Sequence, residues 1–111
     1  MIPKYFKPDE IVGLDKYLVE LLDNAREYAG IPFIINSGLR DKETNEEVGG
    51  VCDSAHLKGL AVDLQCITSD ARFLIVSSLL TAGFTRIGIG KTFIHCDIDH
   101  TKPQKVIFIE Q

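Results

Sequence analysis

Apolar residues recur at helical spacing early in the chain and at every second position later. Leu14, Leu18, Leu21, Leu22, Ala25 and Tyr28 fall on one face of a helix expected over residues 8–29. Gly30 is placed to end it, and Pro32 blocks a restart. The run "FIIN", residues 33–36, reads as a short buried strand. "LAVDL", residues 60–64, alternates, with Leu60, Val62 and Leu64 on one side and Ala61 and Asp63 on the other. A second helix is expected from Ser69, read as its N-cap, to Gly83, with Asp70 in the first turn. "FTRIGIG" and "KTFIHCDID", residues 84–90 and 91–99, read as two strands of a hairpin turning near Gly90, and "KVIFIE" as a last strand. Helices and strands are mixed without strict βαβ order. The expected fold class is therefore α+β, a small, mainly antiparallel sheet with flanking helices on one side.

A long polar stretch, residues 37–54, interrupts the pattern. A connection of that length in so small a domain points to a working loop. At 111 residues the chain makes a single domain, spanning 1–111. Its net charge of −4 lacks the clustered positive face that phosphate binding needs, so nucleic acid is not an expected partner. No apolar run is long enough to span a bilayer, and no membrane partner is expected. The first residues, "MIPKYFKPDEIVG", show no apolar signal region, so the chain is expected to be cytoplasmic as synthesised. Cys52, Cys66 and Cys96 form no C-x-x-C pair, and an odd count favours free thiols, mostly packed as small hydrophobes. A monomer is expected.

Alternation on the later strand separates Ile94, Cys96 and Ile98 from Phe93, His95 and Asp97. The first set suits a core; the second carries an imidazole and a carboxylate on one side. His56 lies just before the strand that holds Asp63, with Gly59 able to turn the chain between them. If the two strands are neighbours, His56, Asp63 and His95 converge. Two imidazoles and a carboxylate form a set that zinc accepts, with a fourth position left open, as in catalytic sites. Zinc lowers the pKa of a water there to about 7 and polarises a carbonyl. Each residue taken singly also has an ordinary reading. His56 could be a capping or surface residue, Asp63 a paired carboxylate in an apolar strand, and His95 a satisfied core histidine. His100 and Asp99 read as turn residues.

The stretches "SGLR", "N…VGG…SAHLKGLAVDL" and "GFTRIGIGKTFIHCDID" resemble the zinc D-Ala-D-Ala carboxypeptidase family, the LAS-type metallopeptidases that include phage endolysin peptidase domains. The resemblance covers roughly residues 33–99. It implies a hedgehog/D,D-peptidase-like fold, a central antiparallel sheet flanked by helices. It implies one Zn2+ ion held by His56, Asp63 and His95. Arg40 matches the substrate-side arginine, whose permanently charged fork suits a carboxylate or a developing oxyanion. Ser54 matches a serine that meets the substrate or the ligand loop, and Asn45, Gly49 and Gly50 match loop-shaping positions. The chain departs from the pattern at one point. Many members carry a catalytic Glu or Asp three or six residues before the third ligand, and here Thr92 and Ile89 stand at those places. The nearest acid is Asp97, which could act as the general base, support the metal, or simply end the strand.

The resemblance implies a zinc metallopeptidase acting on peptidoglycan stem peptides, of D,D-carboxypeptidase or L-alanyl-D-glutamate endopeptidase type. The partner would be a peptidoglycan peptide or a D-Ala-containing dipeptide, reached after phage-type release or within the cytoplasm. The rival is a non-catalytic, zinc-dependent module that binds peptidoglycan or a protein.

Overall fold

The computed structural model describes residues 2–37 and 55–110. The expected long loop and its residues Arg40, Asn45, Gly49, Gly50, Cys52 and Ser54 lie outside them.

The first helix, α1, spans Lys16–Ala29 rather than starting near Pro8. Pro8–Glu10 forms only a 3-10 turn, and Gly13 then takes φ +76°, a left-handed conformation that breaks the path. Asp15 supplies the cap. Its carboxylate accepts the N–H groups of Tyr17 and Leu18 at 2.8 and 3.2 Å, satisfying donors that the first turn leaves orphaned. Leu18, Leu21, Leu22 and Ala25 are buried as expected, but Tyr28 is 60% exposed and Ala29 takes its place at the core. Gly30 closes the helix in the left-handed conformation.

The second helix, α2, spans Ser69–Ala82, with Gly83 at its C-terminal end as expected. The cap sits one residue earlier than expected, because the Thr68 hydroxyl accepts the Ala71 N–H at 3.2 Å. α2 buries Ile75, Ser78 and Leu79 while Phe73, Leu74 and Leu80 face outward.

Strands β1 (Ile35–Ser37), β2 (Ala61–Gln65), β3 (Arg86–Ile89), β4 (Phe93–Asp97) and β5 (Val106–Ile109) form one sheet in the order β1-β2-β4-β3-β5. The pairs β1–β2, β2–β4 and β4–β3 are antiparallel, and β5 runs parallel to β3 at the edge. β3 and β4 form the expected hairpin at Gly90, whose N–H bonds the Phe93 carbonyl at 2.9 Å. The fold is α+β, as the sequence led us to expect. Among the described residues, no helix is long and apolar enough to cross a membrane.

Register then divides the sheet into two faces, since residues directly opposite in a ladder project to the same side. Val62, Cys96 and Ile87 make one row, and Leu64, Ile94 and Ile89 the next. These rows pack under α1 and α2 against Leu18, Leu22, Ile75 and Leu79. Each fully buried Leu or Ile contributes about 1.5–3 kcal/mol by leaving water. Cys66 and Cys96 are buried free thiols in this core, and burial pushes the Cys96 thiol well up, so it stays neutral. The opposite face carries Asp63, His95, Gly88, Asp97 and Arg86.

Candidate metal centre

Asp63 and His95 are direct cross-strand partners on β2 and β4, the neighbours that convergence required. The Asp63 Oδ1 lies 3.0 Å from His95 Nδ1. His56 arrives from a 3-10 turn, Ala55–Lys58, that closes onto β2. Gly59 takes φ +72° after this turn, and a Cβ there would collide with the Gly13 carbonyl oxygen. Only glycine permits both the conformation and the approach. The Gly59 carbonyl accepts the Asp15 N–H at 2.9 Å, so the cap of α1 anchors the turn that bears His56. His56 Nε2 thereby comes 3.3 Å from Asp63 Oδ1.

One ligand atom from each of His56, Asp63 and His95 lies within 4.8 Å of the others. Ligand atoms about 2.0–2.1 Å from a tetrahedral ion stand about 3.3 Å apart, so this donor set fits a zinc-sized ion with small adjustments. Both imidazoles are buried and Asp63 is half-buried. Burial pushes the Asp63 carboxyl up, but hydrogen bonds with His56 and His95 outweigh it and bring it down to about 2. Burial pulls His95 down, yet Asp63 and Asp97 on its two nitrogens raise it to about 9. The cluster is thus built to hold positive charge.

His95 Nε2 meets Asp97 Oδ2 at 2.7 Å, on the side of the ring away from Asp63. Asp97 is 1% exposed. Its other oxygen accepts Arg86 Nε at 2.8 Å and the Asp99 N–H at 3.0 Å. Burial alone would raise this carboxyl, but the His95, Asp99 and Arg86 contacts hold it low. Were His95 to hold an ion beside Asp63, its Nε2–H would stay hydrogen-bonded to Asp97, which would fix the tautomer and ring orientation. Arg86 is held in turn by the Pro103 carbonyl at 2.6 Å and lies over the Phe108 ring at 5.2 Å.

A second buried acid braces the His56 turn. Lys58 Nζ donates to Asp99 Oδ2 at 3.0 Å, and Asp99 also accepts the Thr101 N–H and hydroxyl. The turn reading of Asp99 therefore needs correction: it is 1% exposed and ties the turn to the chain after β4. Arg86 and Asp99 were not singled out as site residues in the sequence. Arg86 becomes legible once the hairpin register sets it across from Asp97. Arg40 and Ser54 fall outside the described residues. Ile89 points into the core and Thr92 lies in the hairpin turn, its carbonyl accepting the Cys66 N–H at 2.9 Å.

Comparison with known proteins follows the same lines. The profile of a family described as peptidase M15 matches residues 6–97. Among curated proteins no sequence matches the chain significantly. Among solved structures, the fold is similar to that of the Serratia marcescens L-Ala D-Glu endopeptidase ChiX, with a TM-score of 0.68 and 20% identity over 90% of each chain.

Proposed function

The chain belongs to the peptidase M15 family, and from that premise we propose that it is a zinc metallopeptidase hydrolysing peptide bonds in peptidoglycan stem peptides. The observation that carries the reading is the meeting of His56, Asp63 and His95 within 4.8 Å, with Asp63 and His95 on the sheet face opposite the helices. These three residues would hold the ion. Bound there, zinc supplies a Lewis acid for the scissile carbonyl and brings the pKa of a water to about 7.

The chain's own groups do the remaining work. Asp63 lends negative charge that favours a divalent ion over a proton. Of the three roles open to Asp97, its contacts support the one behind the metal: both oxygens are committed, one to His95 and one to Arg86 and Asp99. It keeps Nε2 protonated and the ring aimed. Arg40, by resemblance, steadies the peptide carboxylate or the oxyanion, and Ser54 meets the substrate or the ligand loop; an oxyanion donor of this kind is worth about 3–4 kcal/mol. The likeness to ChiX agrees with an L-alanyl-D-glutamate endopeptidase, and the family resemblance equally with a D,D-carboxypeptidase.

A non-catalytic zinc-binding module is the second reading. Thr92 and Ile89 stand where a proton-carrying acid is expected, and Asp97 is otherwise engaged. Mass spectrometry of muropeptides after incubation with the zinc-loaded protein separates the two. New termini that vanish on chelation establish the peptidase and name the bond. Intact muropeptides with zinc still bound establish the module.

A further inference from the structure

The row of the sheet that holds Asp63 and His95 continues past β4. Gly88 is the cross-strand partner of His95, and Phe108 on β5 is the partner of Gly88. Space over Gly88 is filled from the β5 side. A Cβ on Gly88 would lie 2.6 Å from the Phe108 ring, 2.9 Å from Glu110 Cγ and 3.0 Å from Glu110 Oε1. Glycine at this position therefore lets both side chains lie flat on the sheet beside a metal ligand. The Phe108 ring also stands 5.7 Å from the His95 ring.

Glu110 is pinned by its backbone, whose N–H bonds the Ile89 carbonyl at 2.9 Å. Its side chain folds back over Gly88, half-buried, and no described residue gives the carboxylate a hydrogen bond or ion pair. Arg86, the nearby cation, is engaged by Asp97 and Pro103. A carboxylate drawn partly out of water without a partner is costly, and a cation restores the balance. The adjoining aromatic ring suits the methylenes of an alkylammonium.

We propose that Glu110, laid over Gly88 beside Phe108, is a subsite for an ammonium group of the substrate. This deepens the peptidase reading and rests on it. β2 and β3 are two strand spacings apart, roughly 10 Å. A peptide anchored at the metal thus reaches Glu110 within two or three extended residues. At that distance the ammonium is the side chain of the peptide's diamino acid, since the N-terminal amine adjoins the first amide and stays beside the metal site.

The test uses zinc-loaded protein and the tripeptide L-Ala-γ-D-Glu-L-Lys, with the first amide N-methylated to block cleavage. Two further versions are acetylated, one on the N-terminus and one on the lysine side chain. Binding is followed by the Gly88 amide signal in NMR titrations, and hydrolysis of the unmethylated peptides is measured in parallel. We expect N-terminal acetylation to leave binding to the wild type unchanged and acetylation of the lysine side chain to weaken it about tenfold. Glu110→Gln should lose the same tenfold toward the free peptide, become indifferent to that acetylation, and retain its zinc. Wild-type binding that ignores the lysine acetylation overturns the assignment, as does a Glu110→Gln protein that discriminates like the wild type. A loss confined to turnover, with binding unchanged, also overturns it. In each of these cases continued hydrolysis leaves the peptidase reading standing. A wild-type protein that binds none of the peptides overturns the subsite alone, and the peptidase reading is then decided by the muropeptide digest.

Discussion

Two faces of one sheet have different tasks, and the same strands serve both. Under the helices, Val62, Leu64, Ile87, Ile94 and Cys96 interlock by shape. On the other side, Asp63, His95, Asp97 and Arg86 form a chain of charges, each holding the next. Neighbouring residues on β4 thus belong to different systems, Ile94 and Cys96 to packing, His95 and Asp97 to chemistry. Packing tolerates replacement in proportion to volume, whereas a chain of charges fails at any link. The contrast can be broken or sharpened by substitution.

The largest effect is expected from His95→Ala. Partners behind a ligand alone are worth about 10- to 100-fold in metal affinity or activity. Loss of the ligand itself should lower hydrolysis more than about a thousandfold and abolish zinc binding in a metal assay. Leu64→Ala, on the helix face of the neighbouring strand, should behave in the opposite way. It should cost about 2–5 kcal/mol of stability in denaturant titration while leaving the folded fraction metal-bound.

Asp97→Asn tests whether the two faces are separable at all. Zinc affinity should fall about 10- to 100-fold. Stability should fall too, because Arg86 is left nearly buried without its charge partner. A loss of affinity with unchanged stability would show that Arg86 does not depend on the pair.

The smallest effect concerns pH in the chelated protein. His95 is raised to about 9 from an ordinary 6.5. Its contribution to stability is therefore complete below about pH 6.5 and is lost as pH rises through about 9. Asp63, held at about 2 against an ordinary 3.8, contributes fully above about pH 4 and loses its contribution as pH falls through about 2. Melting temperature without metal should decline as pH rises from 6.5 to 10. Zinc, by taking the His95 lone pair, should remove that decline.

Much of this division could be read from alternation alone. The parity of residues 60–64 and 93–97 already separated Asp63, His95 and Asp97 from the core, because side chains on a strand point to opposite sides in turn. Gly30 and Gly83 marked two helix ends through their backbone freedom. What could not be read depended on contacts between distant segments. The start of α1 is set by Gly13, whose role appears only when Gly59 closes on it. The Arg86–Asp97 pair requires the hairpin register, and the Glu110 position requires β5 to lie parallel to β3. Tyr28 fitted the helical spacing but sits outside the buried stripe, where the smaller Ala29 joins the core.

Asp15 accepts two N–H groups at the start of α1 and gives its own to Gly59. Fraying of that first turn is therefore transmitted to the backbone that presents His56. Occupancy of the site should feed back along the same tether and slow hydrogen exchange at the Tyr17 and Leu18 amides, which touch none of the three site residues' side chains.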